Sequence, residues 1–343
     1  MMKLIRFAAS LSALSMAIAG ASVAHADSSD QGSDATSGAT AQRAYKAVAG
    51  VDREWTDAAA DVPANASSRN AIKTTQQGVS VSVPNDPSSK MTIAGRNGKV
   101  SVGLPFSDSA SKAASSHAGT ATFDNKNGSS TTPIVRKDGS VQINTVINGA
   151  KAPKRYAYKM QVPEGAKIER VGSSILVVKG KKMVAGIAPA WAKDAKGKSV
   201  PTHYEVKGNV VTQVVDHGSQ YAYPIVADPF LGRNLFETMQ KNRKGQWEGE
   251  DTYSGELSKW GLAVYWGITG PVVSGNDVML NQGWQEWKDR LLGQNPPVTL
   301  WQQYQCHVKY GYDHYHAGIH WDLELARPSN PDWSNVLEHG CNW

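Results

Sequence analysis

The chain reads as β-rich: an antiparallel all-β, sandwich-like module over residues 71–230, followed by a smaller α+β module over residues 247–343 that carries one disulfide. Three observations predict this. Short runs of alternating apolar and polar residues, separated by turn residues, fill 71–230. Nine of the eleven Trp lie from Trp247 onward, so the second module needs an aromatic core. Charge changes with composition: residues 151–210 hold 13 basic and 4 acidic side chains, net +9, whereas 247–343 hold 5 and 12, net −7.

Taken from the N-terminus, Lys3 and Arg6 precede an apolar run from Phe7 to Ala21 and the small-residue site Ala24-His25-Ala26. That order is the layout of a secretory signal peptide over residues 1–26, with an apolar run too short and too rich in serine to span a bilayer. No second stretch is long enough to cross a membrane. The expected product is a secreted, extracellular chain whose formal charge drops from +6 to +4 when Lys3 and Arg6 leave. Residues 27–70 are rich in Ser, Ala, Asp and Gly, and such a segment buries too little surface to offset its ordering entropy. A flexible leader is predicted there, with a helical patch around Tyr45 to Ala60.

From Ala71 the alternation is regular, as in Val79-Val81-Val83 and Tyr156-Tyr158-Met160, and turn signals such as Asn97-Gly98 and Lys207-Gly208-Asn209 predict antiparallel hairpins. Residues 231–246 read as a linker able to form a short helix. Beyond it, Leu280, Trp284, Trp287 and Leu291 recur at spacings of four, three and four, which places them on one stripe of an amphipathic helix. Glu286 and Arg290 pair at i, i+4 on that helix, and Gly293 stops it. Core packing accounts for a tryptophan stripe at this spacing.

Cys306 and Cys341 are the only cysteines, and in an oxidising compartment they predict one disulfide. Between them, residues 306–328 gather four of the nine histidines. Leu300 to Tyr310 and Ala317 to Leu325 both alternate, so this stretch reads as a β-hairpin with a loop around Gly311 to His316. Pairing His307 opposite His320 would then put Gln305 opposite Asp322 and Gln303 opposite Glu324. The candidate acid–base residues are accordingly His307, His320, Asp322 and Glu324, set against the alternative of a solvated sheet face. His314, His316 and His320 could ligate a metal only if the chain bends at Ala317-Gly318, so neither a metal nor a cofactor is assigned. The lysines around Lys179 to Lys182 lack the interleaved aromatics of a nucleic-acid platform, and no specific nucleic-acid motif is present. Nucleophile elbow, phosphate loop and zinc-protease signatures are missing as well.

The fragments "QYQCHV", "HWDLELARP" and "HGCNW" resemble the C-terminal signature of a family of secreted, mostly actinobacterial proteins, the domain-of-unknown-function family 2599. The motif comprises Cys306, His307, Trp321, Leu323, Glu324, Arg327, Pro328, Cys341 and Asn342. The resemblance covers about residues 250–343 and implies that Glu324 and Arg327 matter to the module. Asp322 stands where the family pattern has Asn, and Trp343 where it has Pro. The stretch "PTHYEVKGNVVTQVVDHGSQYAYPIVADP" is similar to a β-rich segment that precedes varied C-terminal modules in exported actinobacterial proteins, which implies a presenting role for the first module.

Two functions are expected from these features. The first is a non-enzymatic protein that binds an extracellular ligand or envelope component through the C-terminal module. The second is a secreted hydrolase or nuclease-like effector using the His/Asp/Glu cluster. The opposite charges of the two modules also predict that the basic one docks on the acidic one within the chain.

Overall fold

In the computed structural model the residues described are 28–180, 182–242, 251–267, 274–311 and 318–343. Residues 1–27, which include the segment expected to be a signal peptide, lie outside them. The alternation of Val79, Val81 and Val83 produces a strand, Val79–Pro84, with all three valines buried and the serines between them facing outward or half-buried. It belongs to a seven-stranded antiparallel sheet whose spatial order is Asn70–Gln76, Val79–Pro84, Met91–Gly95, Gly98–Gly103, Arg155–Gln161, Val210–Val215 and Thr202–Lys207. The second sheet, of nine strands, is built around Val141–Ile147. On one side of that strand lie Ser129–Val135 and then Phe123–Asp124. On the other, Ile225–Ala227 and Phe230–Gly232 follow one another along the same edge, interrupted at Asp228-Pro229. Beyond the interruption the sheet divides: Ala192–Lys193 pairs with Ile225–Ala227, while Lys182–Ile187, Ser174–Lys179 and Lys167–Val171 continue from Phe230–Gly232. One apolar core takes side chains from both sheets, among them Val81, Ile93, Tyr158, Ile143, Ile175 and Ile225, so the module is a β-sandwich-like body.

Two segments depart from the sequence reading. The leader expected to be flexible outside a helical patch around Tyr45 to Ala60 contains the helices Ser28–Val51 and Arg53–Asp57, which take in most of that patch and extend it towards the N-terminus. Ala44, Val48 and Trp55 bury against Ile134, Val146 and Val226 on the outer side of the second sheet. Ala41, Ala44 and Val48 form a stripe too narrow to register in the composition, and the sheet supplies the rest of the apolar surface. Trp55 fixes the end of this strap, lying 4.0 Å from the Trp191 ring and under the Lys259 ammonium at 5.0 Å.

The stretch 231–246 is no linker helix over its described part. Its first residues complete the strand Phe230–Gly232, and Phe236–Asn242 opens a three-stranded antiparallel sheet with Thr252–Leu257 in the middle and His320–Glu324 at the far side. Residues 243–246 lie outside the described ones. Helical structure covers the inner face of this sheet. Residues 275–292 run as one helical stretch with two wider π turns, ended by Gly293 at φ 77°. As the spacing predicts, Trp287 on this stretch is fully buried, with Leu280, Trp284 and Leu291 packed around the same core.

That core also takes Leu176, Val178, Met183 and Phe230 from the second sheet. The C-terminal region therefore rests on the sandwich through shared apolar packing. Trp260, at 0% exposure, lies directly over Gly186 and Gly232, where the missing side chains leave room for its indole. An ion pair between Arg96 and Asp289 joins the two regions at the surface.

Candidate functional site

The expected hairpin around the four histidines forms only in its second half. Leu300 to Tyr310 is not a strand: Val298–Cys306 is an α-helix that continues as a π turn, His307–Gly311. Leu300, Tyr304 and Val308, all buried, recur every four residues and so satisfy a helix as well as an alternating pattern. Pro297 at the N-cap favours the helix by fixing the entry of the chain. The second half is the predicted strand, His320–Glu324, with Trp321 and Leu323 buried and His320 and Asp322 exposed.

Because the partner of that strand is Thr252–Leu257, His320 stands opposite Glu256 and Asp322 opposite Ser254. The next strand adds Thr238 beside Glu256 and Gln240 beside Ser254. Two cross-strand rows result on the outer face, Thr238–Glu256–His320 and Gln240–Ser254–Asp322, and Asn242 opens the next row, opposite Thr252 and Glu324. The Ser254 hydroxyl donates to Asp322 Oδ1 at 2.5 Å, and the Asn242 amide donates to Ser254 Oγ at 2.7 Å. Thr238 Oγ1 donates to Glu256 Oε2 at 3.2 Å. These residues line a shallow hollow of about 280 Å³. Its floor includes Gly255, behind which the Trp287 indole packs so closely that a side chain at 255 would displace it.

The other motif residues hold the third strand of this face. Gln303 grips the main chain of Glu324 in both directions: its amide donates to Glu324 O at 2.9 Å, and its oxygen accepts from Glu324 N at 2.8 Å. The buried Glu324 carboxylate pairs with Arg327. Arg327 in turn donates to Trp343 O at 2.6 Å and to Asn342 Oδ1 at 3.3 Å, while the Trp343 indole donates to Pro328 O at 2.7 Å. The disulfide Cys306–Cys341, with a Cα–Cα distance of 5.7 Å, ties this C-terminal turn to the helix. His307 stacks on Trp321 with ring centroids 5.3 Å apart and bonds the main chain of Asp322. Burial pushes its imidazole pKa down, against the raising effect of the Asp322 main-chain bond and carboxylate. A neutral His307 therefore serves as a packing and hydrogen-bonding group.

The four acid–base candidates thus separate. His320 and Asp322 are exposed on the outer face; Glu324 follows them on the same side of the strand, as alternation predicts, but is buried against Arg327, and His307 stacks on the buried Trp321. His314 and His316 lie outside the described residues, and among those described no group of three or more His, Cys, Asp or Glu is placed to hold a metal ion. Thr238, Gln240, Asn242, Ser254 and Glu256 are the site residues that the sequence reading missed. The signal for them was the alternation in "ETMQKN" and "TYSGEL", which sets polar side chains on one face of each strand. Compared with known proteins, the chain matches no family model, no curated protein and no solved structure.

Proposed function

We propose that the chain is an exported, non-catalytic binding protein, and that the outer face of its three-stranded sheet recognises a hydroxyl-rich ligand, a glycan of the extracellular envelope. One observation carries this reading: two cross-strand rows present two carboxylates, an imidazole, amides and hydroxyls side by side on a firmly backed face. Carboxylates accept hydrogen bonds from vicinal hydroxyls, while amides both donate and accept, so such a surface complements a sugar edge. Most of the large aromatic side chains of this region go into the core, so recognition rests on hydrogen bonds more than on stacking. At about 0.5–1.5 kcal/mol net per bond, a handful of contacts gives weak single-site affinity that a repeating polymer would strengthen by avidity. The signal-like segment 1–26 and a disulfide suited to an oxidising compartment support export.

Co-sedimentation of the full chain with purified cell walls tests the proposal. The wild-type chain should pellet with the walls, and the E256Q/D322A double variant should remain in the supernatant while keeping its native circular dichroism. A wild-type chain that stays soluble with every wall preparation, or a double variant that pellets equally, would defeat it.

A further inference from the structure

The chain contains two Asp–Pro peptide bonds, Asp86-Pro87 and Asp228-Pro229, and their surroundings are opposite. Asp86 is exposed, and its carboxylate accepts from the Ser88 amide and hydroxyl at 2.9 and 2.8 Å. Asp228 is 1% exposed and sits where the second sheet divides, between the strands Ile225–Ala227 and Phe230–Gly232. Gln142 Nε2 donates to its Oδ2 at 2.9 Å and the Trp191 main-chain N–H to its Oδ1 at 3.3 Å. No cation pairs with it among the described residues. Its main-chain carbonyl, the carbonyl of the Asp–Pro bond, accepts from the buried Tyr204 phenol at 3.3 Å.

An Asp–Pro bond breaks through attack of the aspartyl side chain on its own main-chain carbonyl, and the tertiary amide nitrogen must gain a proton to leave. In water this needs acid, because a free carboxylate carries no proton to give. Burial without a cation removes that requirement by holding the Asp228 carboxyl neutral, its pKa pushed up to about 8. Tyr204, whose own pKa is raised well above the ordinary value by burial, keeps its proton and can donate to an oxygen that gains negative charge.

We propose that the folded chain cleaves itself between Asp228 and Pro229, with the Asp228 side chain as nucleophile and Tyr204 as the donor to the carbonyl oxygen. A carboxyl oxygen of Asp228 bonds to the carbonyl carbon of the same residue and closes a five-membered cyclic anhydride. The C–N bond to Pro229 breaks, and the carboxyl proton passes to the proline nitrogen, which leaves as a secondary amine. One water then opens the anhydride to give two carboxyl groups at Asp228. The new ends stay in place in the folded state, because Ile143 N donates to Pro229 O at 2.9 Å and Phe230–Gly232 remains paired on both sides. Cleavage converts one chain into two that share a fold, with the disulfide and the polar face both on the piece that begins at Pro229.

Denaturing mass spectrometry of the full chain after incubation at neutral pH tests this. The expected result is two pieces ending at Asp228 and beginning at Pro229, whose masses sum to the parent plus one water. They should form about a hundredfold faster than any cut at Asp86-Pro87, the gain typical of positioned acid–base groups. D228N should abolish the cut and Y204F should slow it. Chain unfolded in acid, where neither bond has its folded surroundings, should be cut at both bonds at similar rates. An intact folded chain after a time that cuts the acid-unfolded one, equal cutting at the two bonds in the folded chain, or D228N cut at the wild-type rate would each overturn the proposal. The comparison of the two bonds uses the wild-type chain alone, so it decides the matter even where a variant fails to fold.

Discussion

Replacing Gly186 by Ala measures how firmly the C-terminal region is built onto the sandwich. A Cβ added at Gly232 would fall well inside 3.0 Å of the Trp260 side chain, and one added at Gly186 would do the same at the far end of the indole. Carbon atoms need about 3.5–4.0 Å, so the ring must move outward by more than an ångström from a site with 0% exposure. Overpacking of this kind costs about 1–3 kcal/mol. Trp260→Ala should cost more, about 3–5 kcal/mol, because it empties the same site. In the W260A background, however, the ring atoms that meet the added methyl at Gly186 are gone, so the G186A penalty should shrink and the double-mutant cycle should show a coupling of about 1 kcal/mol or more. Urea unfolding followed by far-ultraviolet circular dichroism of the four proteins gives the numbers. Strict additivity of the two single changes would refute the claim that the indole occupies the space above Gly186.

Three further outcomes follow from the same structure. Reducing the Cys306–Cys341 disulfide, or replacing both cysteines by Ser, opens a loop of 35 residues and should cost about 4 kcal/mol on the chain-entropy model, read as a drop in urea midpoint. Glu324→Ala leaves the Arg327 guanidinium buried without its carboxylate and should destabilise by about 3–5 kcal/mol, whereas a change at the exposed Glu338 should move stability by less than about 0.5 kcal/mol. Asp228 adds a pH dependence of defined sign. Its carboxyl titrates near 8 in the fold against 3.8 in the unfolded chain, so the unfolded chain loses its proton first and stability falls as pH rises between those values. The full swing is on the order of 5 kcal/mol, read as the difference between wild type and D228N, whose slope should be flatter over the same range.

Local periodicity made much of the sandwich legible. Val79, Val81 and Val83 alternate because one side of their strand faces the core, and Trp284 and Trp287 recur at helical spacing because one stripe of their helix does. Where a pattern fits two periods the sequence is silent: Leu300, Tyr304 and Val308 satisfy both alternation and a four-residue repeat, and the helix prevails. The strap over residues 28–57 was legible only in its second part, as the helical patch around Tyr45 to Ala60, and the rest was illegible for another reason. Small residues such as Ala41 and Ala44 carry little hydrophobicity of their own, and their burial depends on a sheet formed by distant strands. The outer polar face follows the same rule. His320 and Asp322 face outward as alternation requires, but their neighbours Glu256 and Ser254 come from another part of the chain, and pairing register between non-adjacent segments is not written in local spacing. The motif residues Cys306, His307, Glu324, Arg327 and Asn342 were marked together, yet only the fold reveals that they brace the strand.

The most direct test of the binding surface is a nuclear magnetic resonance titration of the isotope-labelled full chain with soluble glycan fragments released from a bacterial cell wall. The account predicts saturable shifts confined to Thr238, Gln240, Asn242, Ser254, Glu256, His320, Asp322 and their immediate neighbours, with the amides of Gln303 and Arg327 unmoved. Shifts that cluster on the outer face of the seven-stranded sheet or on the strap over residues 28–57, with the three-stranded face silent, would contradict it.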